Sequence, residues 1–399
     1  MALTCALAPA YAIRWHIGFY PTTVLENAIL ITLVVFAWES RSVWRSLSWR
    51  SPFLLPALLF LVAGAIAVVT APGRLAGLGL YRAYLIEPMA FAFALANVVR
   101  TPGRALFVVS GLFAGAGVAG LANSIVVTNA LLHHTYQVTQ SPPVVIYLTA
   151  NAVALYVVPL VAVAGSLALY GRRLERQIGI AFLAIGLVIT VMSFSRGGYL
   201  ALAAVVFALA MSHRRRLPLL GLAFVVLLAL ALVPPVRQRV LIETQNVYGN
   251  TIQSRLDLWS ATINLLRARP ILGAGLAGFP QRIVPYFSHL HTQANFIDPH
   301  NIVFNFWVET GLLGLLAMAW IISVGFAASW AGWRRGAVGW RPYHLGVMLA
   351  LVAVIVHGMV DVPYFKNDLS LEFWVLLSVT WAGRLWGDQD SAAPVARGS

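Results

Sequence analysis

The sequence predicts an all-α, polytopic integral membrane protein, and three observations support this prediction. Of the 399 residues, 60% are hydrophobic and only 10% are charged, and the mean hydropathy is +0.81. Soluble globular domains carry about 25% charged residues, so this composition excludes that class. The apolar residues also form runs of roughly 17–25 residues, which is the length an α-helix needs to cross a bilayer.

Eleven apolar runs are candidate membrane helices, and a shorter run at residues 2–13 is a possible twelfth. We therefore predict about 12 transmembrane helices, with eleven as the alternative, in a single transmembrane domain at residues 1–399. Its parts are N-terminal helices at 1–233, an outer loop at 234–300, three last helices at 301–386 and a polar cytoplasmic tail at 387–399. The eleven runs are residues 24–38, 53–70, 80–98, 105–126, 149–170, 178–193, 197–212, 217–233, 302–327, 343–361 and 370–386.

The arginines predict how the chain lies across the membrane, because Lys and Arg concentrate in short cytoplasmic loops. One set of alternate loops carries Arg41, Arg45, Arg50, Arg100, Arg104, Arg172, Arg173, Arg176, Arg214, Arg215, Arg216, Arg334, Arg335 and Arg341. The other short loops carry only Arg14, Arg74, Arg82, Arg196 and Lys366. The first set is therefore predicted to be cytoplasmic, which places the one long loop, before the tenth helix, outside. The net charge of +14 then reflects membrane orientation, and we expect no nucleic acid partner.

The long loop contains a predicted amphipathic helix at the membrane surface. Its apolar residues recur at helical spacing, Asn250 or Thr251 can cap its start, and Pro270 ends it. The six residues from Gly273 to Gly278 fit a dinucleotide-binding G-x-G-x-x-G pattern, but they follow a helix and a proline instead of a strand. We interpret them as a turn that returns Phe279 towards the bilayer. The apolar residues of the helix are Ile252, Leu256, Trp259, Ile263 and Leu266.

Polar residues gather where this loop re-enters the membrane. His300 and Asn301 lie at the start of a predicted helix, and Asn301, Asn305 and Glu309 recur every four residues, so they share one helix face. Polar groups at this depth are costly unless they face protein or water. His300 lies at the mouth of this helix, where its side chain can be oriented while still meeting water-borne substrate, and it is therefore the candidate catalytic residue. Asn305 and Glu309 are expected to hold the helix in its bundle, and Asn301 to orient the histidine.

Two arginines on the outer side are candidate anion ligands, each with a simpler interpretation. Arg196 lies in a tight hairpin at residues 193–199 and binds either lipid phosphate or an anionic substrate. The flanking Gly197 and Gly198 favour a substrate, because they would let a large ligand approach the backbone. Arg255 is either part of the polar face of a surface helix or a second ligand to the same anion.

A metal site is not predicted. His289, His291 and His300 match no compact zinc-binding spacing, and Cys5 is the single cysteine. We expect no metal and no cofactor. His357 and Asp361 are four residues apart and are predicted to share a helix face, either as a packing hydrogen bond or as an outer part of the site.

Taken in order, these pieces resemble the O-antigen ligase family, whose core is shared with O-antigen polymerases and protein O-oligosaccharyltransferases. The order and spacing of the set carry the resemblance, since each piece alone is weak. The pieces are residues 195–198 (Ser-Arg-Gly-Gly), Arg255 with Trp259, Pro270 through Gly273 with Gly275, Pro299 to Asn301 with Glu309, Gly311 and Gly314, and finally His357 to Asp361.

The resemblance implies a glycosyltransferase C-like membrane enzyme of a bacterial plasma (inner) membrane, with its active site facing the periplasm or exterior. It would transfer a glycan from an undecaprenyl-diphosphate carrier to an acceptor glycolipid, glycan or protein, with inversion and without metal. Arg196, Arg255 and Arg282 would bind the diphosphate. His300 would be the catalytic residue, and Asn301, Glu309 and Asp361 would support it.

Two alternatives stay open from sequence. A polysaccharide polymerase of the same fold would share the donor and the chemistry and differ only in its acceptor. A transporter or flippase for a lipid-linked sugar would also need outer arginines, but transporters usually show paired repeats and broken helices. The sequence shows neither feature.

Overall fold

A computed structural model describes residues 1–18, 20–137, 141–147, 149–232, 234–241, 251–287 and 297–392. The chain is mostly helical, and each of the eleven predicted apolar runs coincides with a helix. The long helices are α2 (Val24–Ser40), α3 (Leu54–Thr70), α4 (Arg74–Leu80) continuing through a π-helical turn (Tyr81–Ile86) into α5 (Glu87–Val98), α6 (Pro102–Leu132), α7 (Ala150–Tyr170), α8 (Arg173–Met192), α9 (Arg196–Met211), α10 (Arg216–Leu232), α12 (Thr251–Ala268), α14 (Ile302–Arg335), α15 (Arg341–Gly358) and α16 (Asn367–Ala392). Three short helices complete the set: α1 (Ala2–Ala6), α11 (Pro234–Leu241) and α13 (Phe279–Arg282).

Within the described residues, six helical segments are long and apolar enough to cross a membrane. They are Arg74–Val98, Pro102–Leu132, Ala150–Tyr170, Arg173–Met192, Ile302–Arg335 and Arg341–Gly358, and the shorter apolar helices are Leu54–Thr70 and Arg196–Met211. These helices confirm a polytopic membrane protein. The eleven crossings at the apolar runs and the outer position of the long loop stay predictions, and the twelfth depends on residues 2–13.

The N-terminal residues depart from the all-α prediction. After α1, residues Ala8–Ala12 form a 3-10 helix, and β1 (Arg14–Ile17) pairs antiparallel with β2 (Tyr20–Thr23). The five residues of α1 rise only about 7.5 Å, against a bilayer core of about 30 Å. Residues 2–13 are therefore too short to cross as a helix. They pack instead on α6, where Gly111 and Gly115 lie against the carbonyl groups of α1.

The centre of the bundle is α7, whose residues are almost all buried. Helices α8, α9 and α15 pack around it. Hydrogen bonds tie these helices together at one end: Ser166 Oγ donates to the Pro342 carbonyl at 2.7 Å, and Tyr343 Oη lies 3.0 Å from Glu175 Oε1. This packing fixes α9 and α15, the helices that carry residues 196 and 357, relative to each other.

Helix α14 is broken at Gly311, whose φ of 69° lies in the left-handed region. The Val308 carbonyl, which would accept a helical bond across the break, accepts from the Ala274 N–H at 2.6 Å. On the other side, the Leu312 N–H donates to the Ile271 carbonyl at 2.9 Å. The glycine-rich turn thus satisfies the backbone groups that the break exposes. Gly311 permits this break, because glycine adopts such a backbone conformation without the strain that a side chain would cause.

The amphipathic helix predicted in the long loop is α12. Its buried face is not the predicted stripe, because Ile252, Leu256 and Ile263 are exposed. Leu258 and Leu265 are buried instead, and they pack with Val308 of α14 and with Phe279. Phe279 is fully buried at the end of the glycine-rich turn, which agrees with the turn interpretation. These contacts attach α12 to α14.

Candidate functional site

His300 lies between two carboxylates at the start of α14. Its Nδ1 is 2.9 Å from Asp298 Oδ1 and 3.8 Å from Asp361 Oδ1. The His300 backbone N–H also donates to Asp298 Oδ1 at 2.9 Å. With a φ of 49°, His300 adopts the left-handed region that non-glycine residues rarely occupy, and such residues cluster at active sites. The short Asp-Pro-His turn therefore presents the imidazole in one orientation.

These carboxylates control the protonation of the imidazole. Burial by itself would lower the pKa of His300, but the contacts with and charges of Asp298 and Asp361 outweigh it and raise the pKa to about 9. Burial raises the pKa of Asp361, but its contact with His300 and the charges of His300 and His357 outweigh burial and hold that pKa below its usual range. In this conformation His300 is an imidazolium at neutral pH. It must lose that proton before it can act as a base.

Asn301 is the N-cap of α14. Its Oδ1 accepts from the N–H groups of Val303 and Phe304 at 3.0 and 3.1 Å, and its Nδ2 donates to the Met359 carbonyl at 2.9 Å. All three bonds go to backbone groups. Asn301 thus joins the start of α14 to the end of α15. Its expected role in orienting His300 stays a prediction, and it would act through the backbone.

The hairpin around Arg196 packs against the end of α15. Ser195 caps α9 by accepting from the Gly198 N–H at 3.1 Å, and its hydroxyl donates to Asn151 Oδ1 at 2.8 Å. A Cβ on Gly197 would meet His357 Cδ2 at 2.7 Å. The expectation that these glycines admit a ligand is wrong, because helix packing fills the space beside both: a Cβ on Gly198 would meet a side chain of α7 at a similar distance.

His357 is a buried imidazole at the centre of these contacts. It lies beside Gly197, and the charges of Asp361 and Arg255 both act on it. Among the described residues, neither of its ring nitrogens has a hydrogen-bond partner. A buried polar group without a partner is costly, so this position is a place where a water molecule or a ligand group would bind favourably.

The spacing predicted that Asp361 shares a helix face with His357, and this prediction is wrong. Helix α15 ends at Gly358, and the Val360 N–H donates to the His357 carbonyl in a turn. Pro363 follows two residues later and cannot continue a helix. The turn carries Asp361 beyond the helix end, and this brings its carboxylate to His300.

Arg255 reaches the same region through α12. One helical turn later, Trp259 Nε1 donates to the Pro299 carbonyl at 3.0 Å, and its ring is 6.2 Å from that of Phe304. Residues four apart lie on one side of a helix, so Arg255 lies on the side of α12 that faces the loop before His300. The structure therefore brings α9, α12, α14 and α15 together around His300 and His357.

Arg282 and Glu309 serve a different purpose. Two donors of Arg282 bond backbone carbonyls, those of Ala274 at 2.8 Å and Thr70 at 2.7 Å. Burial and the charge of Arg269 lower the pKa of Arg282. Glu309 Oε2 accepts from the Ala277 N–H at 2.7 Å. Both side chains hold the glycine-rich turn in place, and these contacts give no support to Arg282 as a diphosphate ligand.

Asn305 lies on the same face of α14 and is buried. Within the part of the chain that the structure describes, its amide oxygen and nitrogen have no hydrogen-bond partner. No hydrogen bond of the Asn305 side chain therefore supports its expected role in holding α14, whereas Glu309 has such a bond to the Ala277 N–H.

Among the described residues, no group of three or more His, Cys, Asp or Glu side chains could hold a metal ion. Residues 289 and 291, the other histidines weighed as ligands, lie outside the described residues. The partner that sequence reasoning missed is Asp298. Its position two residues before His300, across a proline, was the available signal, because Asp readily accepts from the backbone two residues on.

Comparison with known proteins bears on the middle of the chain. No curated protein matches the sequence. Residues 181–319 match the family model described as O-antigen ligase, and this region contains Arg196, Arg255, Arg282, His300 and Glu309. His357 and Asp361 lie beyond the matched residues. The family suggests a membrane glycosyltransferase of the ligase or polymerase type. Residues 181–319 are thus similar to the O-antigen ligase family, in a protein with several helices long and apolar enough to span a membrane.

Proposed function

We propose that this protein transfers a glycan from an undecaprenyl-diphosphate carrier to an acceptor hydroxyl at the outer face of a bacterial plasma membrane. The transfer is of the O-antigen ligase type, inverting and metal-independent. The single observation that carries the proposal is the cluster of His300 with Asp298 and Asp361. Asp298 and His300 lie within residues 181–319, and the charge of Arg255 acts on His357. A histidine held by carboxylates is an arrangement for proton transfer.

The proposed reaction breaks the bond between the anomeric carbon and the diphosphate oxygen and forms one between that carbon and the acceptor oxygen. The bonding electrons leave with the diphosphate, and Arg196 and Arg255 stabilise the charge that develops there. The acceptor hydroxyl loses its proton to His300. The carboxylate at Nδ1 favours the tautomer with its proton on that nitrogen, so Nε2 is the accepting atom.

The acceptor is the least constrained part of the proposal. Polymerases of this family type use the same donor, so the geometry around His300 supports both ligase and polymerase chemistry. The break at Gly311 is a feature known from transporters, yet here the protein's own turn fills it. We therefore favour glycan transfer over transport of a lipid-linked sugar.

The test is transfer by the purified protein from a defined undecaprenyl-diphosphate glycan to several acceptors, with the product's anomeric configuration read by NMR. Arg196→Gln and Arg255→Gln are expected to weaken carrier binding by about tenfold or more, since each loses a charged, forked donor. Arg173→Gln is the matched control, because Arg173 is an exposed arginine at the start of α8. Unchanged carrier affinity in both arginine variants, or full transfer without His300, would refute the assignment.

A further inference from the structure

An apolar groove lies between α3, α5 and α16, away from His300. Its volume is about 300 Å³, and its walls include Leu58, Ile86, Phe93 and Trp381. Leu58 and Ile86 are 50% and 43% exposed on the outside of the bundle. The groove therefore opens sideways, towards the position of the lipid around a membrane protein.

The groove extends over a similar length on each of its three walls. Its lining residues fall within residues 54–61 of α3, 86–93 of the π-helical turn and α5, and 374–381 of α16. Trp49, Ser51 and Phe53, which precede α3, complete the lining. Seven residue steps of an α-helix correspond to roughly 10 Å. All three walls have this same length, so the groove is a slot parallel to the helix axes.

One end of the slot carries aromatic and cationic residues. The Trp49 ring lies 5.3 Å from that of Trp44 and 4.6 Å from that of Phe93, and Trp381 Nε1 donates to the Arg50 carbonyl at 3.2 Å. Tryptophan and arginine are the residues that concentrate at the headgroup level of a bilayer. The slot therefore runs from a headgroup level into the hydrocarbon.

This end is positively charged. Residues 41–50 contain three arginines and no acidic residue. In the part of the chain that the structure describes, the guanidinium groups of Arg45 and Arg50 take part in no hydrogen bond or ion pair, and both residues are exposed. Charge complementarity selects an anionic headgroup over a neutral one, as for clusters of basic residues next to membranes in general.

The charged end lies on the opposite side of the bundle from the candidate site. Along α3, Leu54 at the slot is sixteen residues, or about 24 Å, from Thr70, which contacts Arg282. Along α16, Trp381 is fourteen residues, or about 21 Å, from Asn367, which adjoins the Lys366 whose charge acts on His357. A glycan donor must bring its diphosphate to His300, so its headgroup does not fit this end.

We propose that the slot between α3, α5 and α16 binds one acyl chain of an anionic phospholipid from the leaflet on the Arg50 side, with the phosphate held by Arg45 and Arg50. This lipid site is separate from the site around His300. Only the exclusion of the glycan donor as its occupant rests on the proposed glycan transfer.

The test is native mass spectrometry of delipidated, detergent-purified protein titrated with phosphatidylglycerol or phosphatidylcholine of the same acyl chains. One phosphatidylglycerol is expected to be retained preferentially, with about a fivefold loss of that preference in Arg50→Gln. Leu58→Gln makes an exposed wall polar and is expected to weaken retention of both lipids. Arg173→Gln, an exposed arginine away from the slot, is the matched control and should behave as the native protein.

Gel filtration and thermal unfolding of each variant show whether it is folded. Equal retention of both phospholipids by the native protein would overturn the proposal, as would native behaviour of Arg50→Gln and Leu58→Gln together. Preferential displacement of phosphatidylglycerol by undecaprenyl phosphate at equal concentration would also overturn it, since the slot would then hold a carrier tail.

Discussion

The rate of glycan transfer should depend on pH in a way set by the carboxylates around His300. Because the pKa of His300 is about 9, only about 1% of the imidazole is neutral at pH 7. If the neutral ring is the base, the rate should rise about tenfold per pH unit from pH 7 and level off near pH 9. Asp298→Asn removes one carboxylate and should shift this rise to lower pH, towards the ordinary histidine value of about 6.5.

The assay is single-turnover transfer with saturating donor and acceptor between about pH 6 and 10, so that the rate reports chemistry rather than carrier binding. His300→Asn is the matched variant. Asparagine adopts the left-handed backbone more readily than alanine does, and it does not titrate. Its residual rate should lack the rise with pH. His300→Ala would add backbone strain to the loss of the imidazole.

Folding must be followed in the same range, because the ion pairs of His300 also contribute to stability. A raised pKa means that this contribution is full below about pH 6.5 and is lost as pH rises through about 9. The transfer rate and stability should therefore change in opposite directions with pH. A rate that is flat to pH 8 and falls above pH 9 in folded protein would refute the base role and favour an imidazolium that binds substrate.

Two substitutions test the packing around the site. Gly197→Ala places a Cβ 2.7 Å from the His357 ring and should cost about 1–3 kcal/mol together with much of the transfer activity. Gly117→Ala is its control, because no atom beyond the helix's own backbone lies within 4 Å of a Cβ at this position of α6, and it should be neutral or stabilising. Equal changes in thermal stability for the two variants would contradict the close packing of Gly197 against His357. Arg282→Gln should lower stability by roughly 2–3 kcal/mol by removing two charged hydrogen bonds, with carrier affinity unchanged. A selective loss of carrier affinity in Arg282→Gln would return this arginine to the diphosphate site.

Much of the helical framework could be read from the sequence, because hydropathy and helix rise are local properties. Every predicted apolar run coincides with a helix, and α12 ends before Pro270, where the proline signal predicted. The lengths of α6 and α14 exceeded their apolar runs, since a helix continues past the hydrocarbon until a breaker such as Gly336 ends it.

Part of the candidate site could also be predicted. Loop charge assigned Arg196, His300 and Asp361 to one side of the membrane, and the structure joins their helices there through the contacts of Gly197 with His357 and of His300 with Asp361. The separate role of Arg282 was not predictable, because an arginine beside a glycine-rich turn is equally suited to bind phosphate or backbone carbonyls.

By itself, the sequence determined a helical membrane protein with its unusual polar residues around the last long loop, because these follow from composition, periodicity and loop charge. Only the tertiary structure decided which groups meet. Asp298 and Asp361 converge on His300 because one turn precedes α14 and another follows α15. The break at Gly311 exists because a distant turn supplies the missing backbone bonds. Such contacts join residues far apart in the chain, and local patterns carry no information about them.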